Sequence, residues 1–247
     1  MQDPSTAVNP TIAPLTNVAL CMGALERVMD RSRHLPGMVV FYGPAGYGKT
    51  MAATYAANRH RAYHIRCCNI STRKSILESI LKEMGIVAER TMASQLDQIA
   101  EQLTVSQRPL IIDEIDHLVE KGSIVEIIRD IHDLSAASAI LLIGEEGVPG
   151  RLKRYERFHR RVLDWVPAQP ADFQDAAQLR SLYQLPPVEI HDDLLGEVQH
   201  LALGSVGRIC VNIDRIQQEA MANGWTDVDL ATWGNRPLYT GEAPRRY

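Results

Sequence analysis

The residues with the plainest chemical purpose are Gly43-Pro44-Ala45-Gly46-Tyr47-Gly48-Lys49-Thr50. Their spacing fits G-x-x-x-x-G-K-[ST], set between the apolar run "MVVFY" and a stretch of helix formers that begins at Met51. Glycines let the backbone turn successive N–H groups inward around an anion, and the following helix N-terminus adds partial positive charge. Lys49 would meet the β- and γ-phosphates of a nucleoside triphosphate, and the Thr50 hydroxyl would reach a magnesium ion. The matching acids stand in "PLIIDEI" (109–115), where an apolar strand carries Asp113 and Glu114 to its C-terminal edge. Asp113 is placed for the magnesium shell, and Glu114 can orient and deprotonate a water for attack on the γ-phosphate. The expected ligands are therefore ATP, held by residues Gly43 to Met51 with Asp113, and Mg2+, held by Thr50 and Asp113. Water is the expected phosphoryl acceptor. Asp116 and His117, just beyond the acids, read as a helix cap and a surface residue.

These residues need a sheet to present them. Five short apolar runs occur at wide intervals: "MVVFYG" (38–43), "AYHIRC" (62–67), "PLIIDEI" (109–115), "AILLIG" (139–144) and "RVLDWVP" (161–167). Helical spacing lies between them, in "SILESILKEMG" and "MASQLDQIAEQL", and before them in "NVALCMGALERVMDRSRH", which Pro36–Gly37 is expected to end. Near-continuous apolar strands alternating with helices predict an α/β fold, a parallel sheet sandwiched by helices. From "QPADFQDAAQLRSLYQL" onward the strand signals stop and the pattern is helical. The chain thus divides into an extended, proline-bearing arm (1–16), a sheet-containing core (17–168) and a small α-helical region with a tail (169–247).

Composition narrows the class. The chain has 247 residues, 45% of them hydrophobic and 23% charged, and a net charge of −4. Those values suit a globular protein with a substantial core, and they exclude a globally basic nucleic-acid binder. Four cysteines lack metal-ligand spacing, and no apolar run approaches the roughly 18 residues that span a bilayer. A cytoplasmic protein with reduced thiols, without a membrane partner, is expected.

The phosphate loop, the hydrophobic-D-E strand some sixty residues later and the helical tail together resemble the AAA+ P-loop ATPases. Two further segments support the likeness. "GSVGRICVNID" looks like the second sensor of the helical lid, which implies that Arg208 touches the γ-phosphate. "RYERFHRRVLDWVP" is similar to the segment carrying the arginine finger, a group that acts on a neighbouring protomer's nucleotide. Arg161 takes that role first, with Arg160 and Arg157 behind it. Compact size and "LLIGEEGVPGRL" look most like the transposition ATPases of the phage Mu B kind. That resemblance implies an oligomer, ring or helical filament, that assembles on duplex DNA for target selection and activates a transposase. Its first sensor is a polar residue at the end of the fourth strand. Here Gly144 and Glu145 stand there, implying slow turnover. The helix-turn-helix domain of that group has no counterpart in residues 1–16, so DNA contact is expected of the core.

A surface for DNA is legible locally. Met51 to Leu77 contains no acidic residue but holds Arg59, Arg61, Arg66, Arg73 and Lys74. "NISTRKS" combines hydroxyls, two cations and a helix start, so Thr72, Arg73 and Lys74 are the expected backbone contacts, with Lys121 beside them. Such contacts read phosphates and not bases, giving sequence-tolerant, salt-sensitive binding. The basic tail "GEAPRRY" is a further possible contact. A helicase loader of DNA replication would share the same core and is the alternative. A protein-threading ATPase is disfavoured because "NISTRKS" carries no aromatic residue.

Overall fold

The computed structural model describes residues 14–135 and 138–242. Most of the expected N-terminal arm, and residues 243–247 of "GEAPRRY", lie outside them. The described residues form two compact units, residues 17–168 and residues 169–242, with residues 14–16 grouped with the latter.

The first unit is built on five parallel strands: β1 (Met38–Tyr42), β2 (Tyr63–Arg66), β3 (Leu110–Asp113), β4 (Ile140–Gly144) and β5 (Val162–Pro167). Their order is β2-β3-β4-β1-β5. This is the parallel α/β sheet that the sequence predicts. Residues Leu110, Ile111, Ile112 and Asp113 of β3 are all buried, as are Met38 to Phe41 of β1. Helices cover both faces, which is why the strands read as unbroken apolar runs and not as alternations. Removing a buried side chain such as Ile112 would cost roughly 2–5 kcal/mol. Register sets the chemistry: Arg66 lies opposite Asp113, and Tyr42 opposite Gly144, so the last residues of four strands converge at one edge.

The helices of this unit are α1 (Thr16–Met29), α2 (Lys49–His60), α3 (Arg73–Met84), α4 (Met92–Ser106), α5 (Gly122–Leu134), α6 (Val148–Leu152) and α7 (Glu156–His159). The first is shorter than expected. It stops at Met29 because Arg31 folds back to donate to the Val28 and Leu35 carbonyls, closing the end well before Pro36. Threonine caps open α3 and α4: the Thr72 and Thr91 hydroxyls accept from the Ser75 and Ser94 amides.

The second unit holds α8 (Phe173–Tyr183), α9 (Asp192–Ala202), α10 (Val206–Asn223) and α11 (Leu230–Trp233). It also holds a feature with no sequence signal. Strands β6 (Glu189–Ile190) and β7 (Asp227–Val228) pair in parallel, and each is two residues long, too short to show an apolar period. Helix α10 is the spine, burying Ile209, Ile213, Ile216 and Ala220 along one face.

Candidate functional site

Chain geometry at the end of β1 is dictated by its glycines. Gly46 and Gly48 take φ of 84° and 78°, left-handed values that disfavour any side chain. A Cβ at Gly43 would stand 2.9 Å from Ala168 Cβ. The loop therefore turns tightly onto α2, whose N-cap is Gly48 and whose first amides have no side-chain cap. Helix N-termini with donors left open attract anions. Lys49 donates to the Gly43 and Pro44 carbonyls at 2.7 and 2.8 Å, folded over its own loop. Burial pulls its pKa down, opposed by the charges of Asp116, Glu145, Asp113 and Glu146. An ammonium resting on backbone carbonyls within that acidic surround is ready to exchange them for phosphate oxygens.

At the end of β3, Asp113 is buried, and its Oδ1 accepts the Glu114 amide at 2.8 Å. Among the described residues its Oδ2 is buried with no hydrogen-bond partner. A buried carboxylate oxygen without a partner is costly unless a ligand completes it. Magnesium characteristically takes one or two protein oxygens and the rest from phosphates and water. Asp113 Oδ2 and the exposed Thr50 hydroxyl suit that demand.

Glu114 sits at φ 57°, a left-handed conformation that costs a non-glycine residue on the order of 1 kcal/mol or more. The turn throws its carboxylate sideways, where it ion-pairs with Arg66 on the neighbouring strand. The His117 ring stands 3.9 Å away on the other side. Arg66's hydrogen bond is the chief reason the Glu114 carboxyl is held below its usual range. The sequence shows Arg66 only as one of several cations. Its position as the last residue of β2, in register with Asp113, gives it a specific partner.

Three expectations change at this point. Asp116 is neither a cap nor solvated. It lies in the 3-10 turn 115–117, 12% exposed, and binds the Glu145 amide and Arg151. Lys121 is engaged within the chain. Its ammonium donates to the Asn69 and Ser71 carbonyls at 2.6 and 2.9 Å, bracing the loop that precedes α3. Arg161 is also engaged: Nε and one terminal nitrogen donate to Asp133 at 3.0 and 2.8 Å, and the other to the Arg157 carbonyl. Arg160 pairs with Glu156. Arg157 is exposed, and among the described residues its guanidinium has no partner.

The loop 68–72 is a built structure. Ser71 Oγ accepts the Cys68 amide at 3.0 Å, and Lys121 holds two of its carbonyls. Ile70 projects 86% exposed. Thr72, Arg73 and Lys74 follow, all exposed; Thr72 forms a reciprocal capping box with Ser75, and Lys74 stands 3.7 Å from Glu78. In the second unit, the Arg208 amide donates to the Ser205 cap at 3.3 Å. The backbone of Gly241 passes so close that a Cβ there would be 2.7 Å from Arg208 Nε. Asn212 holds that passing segment by bonding both the amide and the carbonyl of Tyr239.

Fold and phosphate loop together match the AAA+ P-loop α/β fold. Residues 32–152 match the family model described as an AAA domain. The fold is shared with Cdc6p from Pyrobaculum aerophilum, with a TM-score of 0.63 at 13% identity over 91% of this chain and 66% of that one. It is also shared with domain III of the Thermotoga maritima replication initiation protein DnaA, TM-score 0.57, 17% identity, covering 91% of each chain. A third likeness is to the Aeropyrum pernix ORC1 protein in complex with DNA, TM-score 0.59, 16% identity, over 91% of this chain and 65% of that one. The chain thus spans just under two thirds of the Cdc6p and ORC1 chains. No curated protein matches its sequence. No described helix is long and apolar enough to cross a membrane.

Proposed function

We propose that the protein is a magnesium-dependent ATPase that assembles with copies of itself on DNA. One observation carries the nucleotide reading: open α2 amides and Lys49 resting on carbonyls at the end of β1, and the Asp113 Oδ2, without a partner among the described residues, at the end of β3, flank the end of β4 at one edge of the sheet. A triphosphate with its metal supplies the missing partner to each. Bound magnesium would draw charge from the γ-phosphate oxygens. Lys49 leaves the Gly43 and Pro44 carbonyls for β- and γ-phosphate oxygens. Glu114, once released by Arg66, takes a proton from the attacking water as the new P–O bond forms. The bond to the β-phosphate oxygen breaks, leaving ADP and phosphate. Arg66 therefore acts as a brake, and its strand leads directly into the loop ending at Thr72, Arg73 and Lys74. DNA phosphates drawn to that loop would reposition Arg66 and release the acid. The finger role passes to Arg157, the arginine of its cluster that stays unengaged. Arg208 serves as a second γ-phosphate contact, and residues 169–247 act as the helical lid of the core at 17–168.

Two biological settings fit this machine. Replication is the better supported, because Cdc6p, DnaA and ORC1 share the fold over most of this chain, and helicase loading is one form of it. Target selection for a transposase is the second, favoured by "LLIGEEGVPGRL" and the compact chain. Calorimetry with Mg-ATP and a phosphate-release assay test the core proposal. The expected result is binding by both wild type and Glu114→Gln, with release by wild type alone. Absence of ATP binding to the wild-type protein would refute it. Negative-stain microscopy separates the settings: ATP-dependent filaments on duplex DNA favour transposition, whereas discrete rings with a helicase or a single-strand preference favour loading.

A further inference from the structure

Strand β4 ends on a residue with no side chain, yet its exit lies between the two halves of the proposed site. The Gly43 amide donates to the Gly144 carbonyl at 3.2 Å, tying that exit to the first residue of the phosphate loop. On the opposite side β4 pairs with β3, which delivers Asp113. The space beside Gly144 is filled by Val148, Ile115 and the Asp116 carboxylate, the one polar group of the three. A Cβ at residue 144 would stand 2.6 Å from Val148 Cγ2, 3.0 Å from Asp116 Oδ2 and 3.1 Å from Ile115 Cγ1. Asp116 thus occupies room that a side chain at this strand end would need.

Its bonds point the same way. Both carboxylate oxygens lie 2.9 Å from the Glu145 amide, and Oδ1 accepts from Arg151 at 3.0 Å. These partners are 29 and 35 residues distant along the chain, so the carboxylate joins the β3 exit to the β4 exit and to α6. Arg151 in turn folds over Gly147, where a Cβ would be 3.3 Å from its guanidinium. Positions 144 and 147 carry no side chain, and the Asp116 carboxylate and Arg151 guanidinium lie against them, with Val148 and Ile115 beside Gly144.

We propose that Asp116 is a positioning residue for phosphoryl transfer, fixing the β4 exit and Arg151 against the phosphate loop in place of a polar side chain at position 144. The inference rests on the ATPase reading above. The field at Lys49 agrees with the placement, since Asp116 contributes the largest of the four carboxylate influences on that ammonium. A γ-phosphate arriving beside Lys49 brings negative charge toward Asp116, and Arg151 is the counter-ion that keeps the carboxylate in place. Loss of the γ-phosphate changes that balance at the 145–147 turn, so the same bonds discriminate ATP from ADP.

The test uses the full chain with Mg2+, comparing wild type, Asp116→Ala, Asp116→Asn and Arg151→Met. Phosphate release gives kcat and KM, a fluorescent analogue pair gives ATP and ADP affinities, and thermal melting gives Tm. Asp116→Ala is expected to lower kcat about 10- to 100-fold, the scale of a misplaced reacting group. ADP affinity should stay within about threefold while the preference for ATP falls. Asp116→Asn should recover part of kcat, because its amide oxygen still accepts from Glu145, and Arg151→Met should fall between the two. An Asp116→Ala kcat within about twofold of wild type overturns the inference. So does a parallel loss of kcat, ADP affinity and Tm with no recovery in Asp116→Asn, the pattern of a purely structural residue. Should Asp116→Ala not fold, Asp116→Asn decides: an unchanged kcat and unchanged ATP-to-ADP preference overturn the proposal. A wild-type protein that hydrolyses ATP while the variants match it refutes this inference alone, whereas a wild type that does not bind ATP refutes both readings.

Discussion

The two ends of the central sheet treat their carboxylates in opposite ways. At the carboxyl ends of the strands, Asp113 Oδ2 is buried without a partner among the described residues, α2 opens without a side-chain cap, and Glu114 is held in a left-handed turn. At the amino ends, Asp133 is saturated. It accepts two bonds from Arg161 and faces the buried His132 ring at 3.0 Å. At the carboxyl end a buried carboxylate oxygen is left open beside an uncapped helix start, and at the amino end the Asp133 carboxylate is neutralised by Arg161. Unsatisfied groups persist where a ligand completes them, and closed networks are where a fold is held together. An Asp left open thus suits a ligand, as proposed for Asp113, whereas an Asp with a basic partner, as Asp133 has in Arg161, suits stability.

Disabling the open end should produce the largest effect. Lys49→Ala removes the one ammonium in the loop and is expected to weaken ATP binding by roughly a hundredfold or more, as losing a charge-assisted hydrogen bond of about 3 kcal/mol does. Titration calorimetry with Mg-ATP reads it directly, and near-normal affinity would break the comparison. Glu114→Gln should preserve affinity while reducing hydrolysis by about 10²- to 10⁴-fold, the range attributed to a general base. Arg66→Ala sharpens the same point with the opposite sign. Freed from its ion pair, Glu114 should raise DNA-independent hydrolysis several-fold, on the order of a 1 kcal/mol pair, and lose most of its response to DNA. A fall in basal rate would show that Arg66 supports the acid and does not restrain it.

Next in size is the loop outside the sheet. Arg73→Ala with Lys74→Ala should cut duplex affinity about tenfold or more. It should also reduce the slope of log K against log salt by roughly two, about one for each phosphate no longer neutralised. Lys121→Ala should act differently. Because its ammonium holds the Asn69 and Ser71 carbonyls, loosening the loop should lower affinity without removing a full phosphate from the slope. Fluorescence anisotropy across a salt series separates these outcomes. A full unit of slope lost in Lys121→Ala would return that residue to the DNA.

Most of the sheet can be read from sequence because β1, β3 and β4 are buried on both faces and so are apolar without interruption. The loop and its acids are equally plain, since steric demands at Gly46 and Gly48 leave few alternatives. What escapes is decided by register and not by local pattern. Arg66 is one cation among several until β2 pairs with β3 and sets it beside the acids. Asp116 looks like a cap until β4 brings the Glu145 amide to it from 29 residues away. Arg161 looks available because the sequence does not reveal that α5 ends with Asp133 facing the start of β5. The pair β6 and β7 has no signal because two residues cannot display a period.

The closed end yields the smallest and most specific prediction. Burial alone would raise the Asp133 carboxyl pKa; the hydrogen bonds from Arg161 and His132 outweigh it and leave the folded value below the ordinary 3.8. A carboxylate whose folded pKa is depressed contributes stability that is complete above its unfolded pKa and disappears as pH falls through the folded one. Thermal melting of the wild-type protein should therefore lose this contribution below about pH 4, and Asp133→Asn should flatten that part of the curve. With Asp133 more than a third exposed, the neutral-pH cost should be modest, about 1 kcal/mol and a few degrees in Tm. Arg161→Ala should reproduce the loss of Tm and leave assembly-stimulated hydrolysis largely intact. Arg157→Ala should do the reverse, sparing Tm while slowing hydrolysis in the assembly. An Arg161→Ala protein that melts normally but fails in assembled hydrolysis would move the finger back to Arg161. It would also show that a saturated ion pair at the amino end can open for a neighbour, which would remove the distinction between the two ends of the sheet.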